Sequence, residues 1–73
     1  MGMFDRITFD SHIMGGQACI RGMRIPVSVI IGQIVNGATF EEILDGYPDL
    51  EEKDIQQALE YAEWLVQEEM HSE

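Results

Sequence analysis

Apolar and polar residues alternate over Ile7-Thr8-Phe9, as they do in a half-buried strand. Gly15-Gly16 then signals a turn, and Ala18-Cys19-Ile20-Arg21 predicts a second short strand ending at a turn on Gly22. Arg24-Ile25 is extended, because the residue before Pro26 is biased away from helix. From Val27 or Ser28 the spacing changes. Val29, Ile30, Ile31, Ile34 and Val35 predict a helix that is apolar on most sides, entered at Pro26 and stopped by Asn36-Gly37. Thr39 followed three residues later by Glu42 is a capping box for a second helix, with Phe40, Ile43 and Leu44 on its buried edge and Gly46 and Pro48 at its end. A third helix starts best with Glu51 as N-cap. That choice puts Leu50 and Ile55 at the two positions of a hydrophobic staple, whereas a start at Asp49 would set Pro48 against Lys53. Ile55, Ala58, Leu59, Ala62, Leu65 and Val66 then share one face to about Glu69.

The pattern predicts one domain over residues 1–73: a β-hairpin segment over about 3–26, a tri-helical core over about 27–69, and a tail over 70–73. The fold class is α+β, mainly α. Two helices joined by a short Gly-containing turn and packed over a third make a helix-turn-helix core, a pattern that plain helical hairpins share.

Composition narrows this. A 73-residue chain buries little surface, and its single cysteine excludes an internal disulfide, so dimerisation or docking on another protein is the expected source of further burial. No apolar run approaches the roughly 18 residues of a membrane span, and Met1 to Arg6 lacks the regions of a signal peptide, so the expectation is a cytoplasmic protein with no membrane role. Arg6 stands where a myristoylation signal after Gly2 would need Ser or Thr. Charge is divided by position. Residues 1–40 hold Arg6, Arg21 and Arg24 against Asp5 and Asp10, a net of +1, and residues 41–73 hold twelve carboxylates against Lys53, a net of −11. A helix-turn-helix meets phosphates with its second helix, which here opens with Glu51, Glu52 and Asp54. The shape suggests DNA, and the charge argues for weak, salt-sensitive DNA binding and for a protein partner.

Several stretches resemble one family. Gly16-Gln17-Ala18-Cys19-Ile20-Arg21-Gly22-Met23-Arg24-Ile25-Pro26-Val27 resembles its signature G-K-P-x-I-R-G-T-R-I-P-V. Gly37-Ala38-Thr39-Phe40-Glu41-Glu42-Ile43-Leu44 resembles G-x-S-x-E-E-I-L. Tyr47-Pro48-Asp49-Leu50, Asp54-Ile55 and Ala58-Leu59-Glu60-Tyr61-Ala62 resemble Y-P-x-L, D-I and A-L-x-Y-A. These are the motifs of the domain of unknown function 433 family, and the resemblance runs from about Arg6 to Ala62. Gln17, Ala18, Met23 and Glu51 depart from the usual Lys, Pro, Thr and Thr or Ser. The resemblance implies a homeodomain-like helix-turn-helix behind a small β-hairpin. It also implies an antitoxin role, because such genes often sit beside genes for PIN-like nucleases.

Arg6, Arg21 and Arg24 are the candidate contacts to nucleic acid or a partner. The structural alternative for Arg21 and Arg24 is that each fork pairs with a helix carboxylate such as Asp45 or Glu42. Trp64 falls about 160° from the centre of the third helix's apolar stripe, with Tyr61 one turn before it. The pair reads either as an interface anchor or as a ring folded beneath the N-terminal segment against Phe4 or Phe9. Glu60, Glu63 and Glu68 would complement a basic groove. His12 and His71 are too isolated for metal or base chemistry, and Cys19 reads as a core residue. The expectation is therefore not an enzyme, with no cofactor, metal or catalytic residue. It is a homodimeric binding protein, by resemblance an antitoxin that neutralises a PIN-like ribonuclease. The alternative is a stand-alone dimeric helix-turn-helix transcriptional regulator.

Overall fold

A computed structural model describes residues 4–71, with side chains through residue 68. The architecture is α+β and mainly α. Strands β1 (Ile7–Phe9) and β2 (Ala18–Ile20) pair antiparallel, with Ile7 opposite Ile20, Thr8 opposite Cys19 and Phe9 opposite Ala18. A 3-10 turn over Met14–Gly16 lies between them. Helices α1 (Val27–Val35), α2 (Phe40–Gly46) and α3 (Glu52–His71) follow.

The second strand ends one residue earlier than the sequence pattern predicts. Arg21 and Gly22 have φ of 45° and 73°, and the N–H of Met23 donates to the carbonyl of Ile20 at 2.8 Å. Positive φ at both central residues marks a primed turn, so Arg21 begins the turn while its N–H still donates to the Arg6 carbonyl at 2.8 Å. A non-glycine residue in that region carries a steric cost, and the contacts of its side chain offset it.

The helix ends follow local chemistry. After α1, Gly37 takes a φ of 95°, its N–H donates to Ile34 and that of Ala38 to Gln33, which is the paired-bond pattern of a Schellman stop. At α2, Thr39 N–H donates to Glu42 Oε1 at 2.8 Å and Glu42 N–H to Thr39 Oγ1 at 3.1 Å, completing the capping box. Glu51 precedes the first residue of α3, and Leu50 and Ile55 are both buried in the core, as the staple requires. The helix continues to His71, two residues past the predicted end, and the rest of the predicted tail, Ser72 and Glu73, lies outside the described residues.

One core joins all the elements. Ile7 and Ile20 from the hairpin meet Val27 and Ile30 of α1, Ile43 of α2, and Leu50, Ile55 and Ala58 at the start of α3. Only part of the apolar surface of α1 is used, and Val35 is 77% exposed. With 20 residues, α3 is about 30 Å long and outruns the core, leaving Leu65 and Val66 exposed.

Candidate functional site

Asp54 organises the charged chemistry. It stands at the third position of α3 and is fully buried. Arg21 grips it bidentately, Nε to Oδ1 at 3.0 Å and Nη2 to Oδ2 at 2.8 Å. Arg6 Nη1 donates to Oδ1 at 2.8 Å, and the backbone N–H of Glu51 donates to Oδ2 at 2.8 Å. A carboxylate has about four acceptor sites, so this one is filled. Arg6 also reaches Glu51 Oε1 at 2.9 Å, and Arg21 Nη2 reaches the Asp49 carbonyl at 2.9 Å. The Arg6 N–H donates to Gln57 Oε1 at 2.6 Å, a further tie to α3 from the residue before β1.

Burial pushes the Asp54 carboxyl up, but the hydrogen bonds from Arg21, the Glu51 N–H and Arg6 outweigh it, leaving the pKa lowered from 3.8 to about 2. Hydrogen bonds to Asp54 raise both guanidinium groups above their ordinary value. Two cations and two carboxylates thus form a neutral, saturated cluster that clamps the hairpin to α3. Asp54 has no vacant acceptor for a substrate proton or a metal.

The sequence offers Arg6, Arg21 and Arg24 as contacts, with Arg21 and Arg24 alternatively paired to Asp45 or Glu42. The structure places the Arg21 fork on Asp54 and brings Arg6 to the same carboxylate. Arg24 is exposed and makes no ion pair among the described residues. Asp54 itself is missing from the sequence candidates, where it stands only as one of the acids that open the third helix. Two signals could have found it. It lies three residues after the N-cap, where a side chain returns to the N-cap N–H. It also falls only about 80° from the centre of the apolar stripe at 100° per residue.

Trp64 takes the intramolecular option in part. Its ring lies 5.7 Å from that of Phe4 and 6.2 Å from that of Tyr61, and it remains 37% exposed. Tyr61 also meets Phe4 at 5.3 Å and Phe9 at 6.2 Å. Glu60, Glu63 and Glu68 are exposed. Cys19 is buried, His12 is an exposed loop residue near Asp10, and the His71 side chain lies outside the described residues. Among the described residues no group of three or more His, Cys, Asp or Glu is placed to hold a metal ion. No helix among them is long and apolar enough to cross a membrane.

A groove of about 500 Å³ opens between the hairpin and two helices. Its walls are Ala18 of β2, Val27, Ile31 and Gly32 of α1, and Ala62 and Leu65 of α3. Gln17, Ser28 and Tyr61 complete the lining, and among the described residues no charged side chain contributes.

These features define a small hairpin-and-three-helix module with a neutral ionic clamp, an acidic helix and an apolar groove. The chain belongs to the family described as protein of unknown function (DUF433), whose model matches residues 7–62. The crystal structure of a DUF433 member protein from Anabaena variabilis ATCC 29413 is similar, with a TM-score of 0.79 and 35% identity, over 86% of this chain and 62% of that one. Uncharacterized protein y4eO of Sinorhizobium fredii (strain NBRC 101917 / NGR234) is 33% identical over 57 residues, covering 78% of this chain and 26% of that protein. The chain therefore spans about a quarter of that relative's length and less than two thirds of the crystallised one.

Proposed function

We infer that this chain is a non-catalytic binding protein, the antitoxin of a toxin–antitoxin pair, which binds and neutralises a PIN-like ribonuclease in the cytoplasm. The observation that carries the reading is the charge remaining outside the cluster around Asp54. Arg6 and Arg21 are matched by Glu51 and Asp54, so Arg24 and Lys53 stand against the other twelve carboxylates. So acidic a surface is repelled by phosphates and attracted to a basic groove that holds RNA. Glu60, Glu63 and Glu68 would speed that encounter, and the exposed part of Trp64, with Tyr61, would add aromatic area.

One feature favours the alternative of a dimeric helix-turn-helix regulator. A short connection, 47–51, joins α2 to α3, about one residue longer than the usual helix-turn-helix turn. Against it, the first turn of α3 carries Glu52 and Asp54, and two of the three arginines are already engaged.

The test is capture of the tagged chain from its native host at physiological salt, with mass spectrometry of what co-purifies and a parallel titration with DNA from its own promoter. A basic PIN-like nuclease is expected, with its RNA cleavage inhibited by added chain. Replacing Glu60 and Glu63 by Lys should mainly slow association, and Trp64→Ala should raise the dissociation rate. Absence of a nuclease together with tight, salt-resistant promoter binding would overturn the reading in favour of the regulator.

A further inference from the structure

We propose that the aromatic face of α3 at Tyr61 and Trp64 is a docking site for an arginine side chain presented by a basic partner protein. The aromatic half of the site is already assembled. Tyr61 and Trp64 stand one turn apart, with ring centroids separated by 6.2 Å and planes within 23° of parallel. Phe4 braces both from the chain before β1, at 5.3 Å from Tyr61 and 5.7 Å from Trp64. The indole is therefore held before any partner arrives, which lowers the ordering cost of binding, yet 37% of Trp64 stays open.

The acids around the rings select the occupant. Glu60 and Glu68 lie one turn before and one turn after Trp64 in the same row of α3. Both are exposed, and neither joins an ion pair among the described residues. Asp5, next to Phe4, adds a third carboxylate on this side, where it accepts from Gln57 Nε2 at 3.1 Å. An apolar plug over the indole would strip water from these acids without replacing it, a cost that opposes binding. A guanidinium satisfies both halves of the site. Its plane stacks on the negative face of the ring, and its N–H fork reaches carboxylates. A lysine ammonium offers the charge without the plane or the fork.

The occupant comes from another protein. Arg6 and Arg21 are committed to Asp54, and the turn that carries Arg24 is tied by Arg21 to Asp49 and Asp54. Lys53 lies about 16 Å before Trp64 along the helix. A second copy of this chain is a poor source, because it too carries a net −10. The inference rests on the antitoxin reading only for the identity of the protein that carries the arginine.

The chain has one tryptophan, so its fluorescence reports on this site alone. The full chain is titrated with a capped peptide of arginines spaced by glycines, and with the same peptide carrying lysine or citrulline in their place. The arginine peptide should shift the Trp64 emission with a roughly millimolar dissociation constant, about five-fold tighter than the lysine peptide. The uncharged citrulline peptide should not bind. Glu60→Gln combined with Glu68→Gln should weaken arginine binding by about five-fold. Glu41→Gln combined with Asp45→Asn removes the same charge from exposed positions of α2 and should leave it unchanged. Circular dichroism establishes that each variant folds. An emission unmoved at about 10 millimolar peptide, equal binding of arginine and lysine, or equal loss in the two double variants overturns the proposal. Capture from the native host separates it from the antitoxin reading. A nuclease held equally well by the Glu60→Gln and Glu68→Gln double variant overturns the arginine site and leaves the antitoxin standing. Arginine-selective binding with no nuclease captured keeps the site and removes the antitoxin.

Discussion

Over its first two turns α3 is held wherever it faces the protein. Asp54 is fully buried among two arginines, and Ile55 and Ala58 are sealed in the core. Past Ala62 the same helix carries Leu65 and Val66, still in phase with the stripe, into the open. One end thus buries a charge that has every partner it needs, and the other exposes apolar surface that the described residues leave partly uncovered. A buried ion pair is weak evidence of net stabilisation, because desolvation opposes it, but breaking one from a single side is costly. The near end therefore makes the fold specific and intolerant of change. The far end adds little to the folded monomer and is available to something else.

The largest test of this contrast is Asp54→Ala. Two guanidinium groups and the Glu51 N–H lose their shared acceptor; because both guanidinium groups still reach solvent, the loss is that of the charged hydrogen bonds, about 3 kcal/mol. Urea unfolding of the variant should show a loss of that size, or an unfolded chain. A loss below about 1 kcal/mol would mean that the cluster is incidental. Next comes acid. The Asp54 carboxyl falls from 3.8 to about 2 on folding. Its contribution is fully present above 3.8 and is lost as pH falls through about 2, and the shift corresponds to about 2 kcal/mol. Because protonation also relieves repulsion among the other acids, the useful quantity is the stability difference between the parent and Asp54→Asn. That difference should shrink between about pH 5 and pH 2, and a difference independent of pH would remove Asp54 from the account. The smallest effect belongs to the far end. Leu65→Ala, measured where copies are dissociated, should change stability by no more than about 0.5 kcal/mol. A loss of several kcal/mol there would mean that the distal turns belong to the monomer's core, and the contrast would fail.

Much of the fold was legible because its signals are local. Thr39 and Glu42 announce a cap within four residues, and Leu50 and Ile55 fix the start of α3 in preference to Asp49. Asn36-Gly37 stops α1 because Gly37 must adopt a positive φ. The end of β2 was misplaced by one residue, since nothing about an arginine announces a left-handed backbone. The charged cluster was harder for the same reason in a stronger form. Asp54 sits in a run of acids, and a sum over that run reads as a solvated, repelling face. Its meaning depends on Arg6 and Arg21, which arrive from another part of the chain. The groove is likewise a product of three elements meeting. Its residues are ordinary core-type positions on each element, and only the packing shows which remain uncovered.

The clamp also bears on how long the folded state lasts. Asp54 is bonded to partners 33 and 48 residues away in the chain. Helices close bonds over four residues, whereas contacts at that span must first repay a large loop entropy. The cluster is therefore expected to form after the main barrier, and interactions absent from a transition state act on the rate of leaving the native basin. In stopped-flow experiments with urea, Asp54→Asn should raise the unfolding limb by most of the stability lost and barely move the folding limb. An equal shift in both limbs would place the clamp in the nucleus. On the expected outcome, one buried carboxylate sets the lifetime of the folded chain while having little influence on how quickly that chain folds.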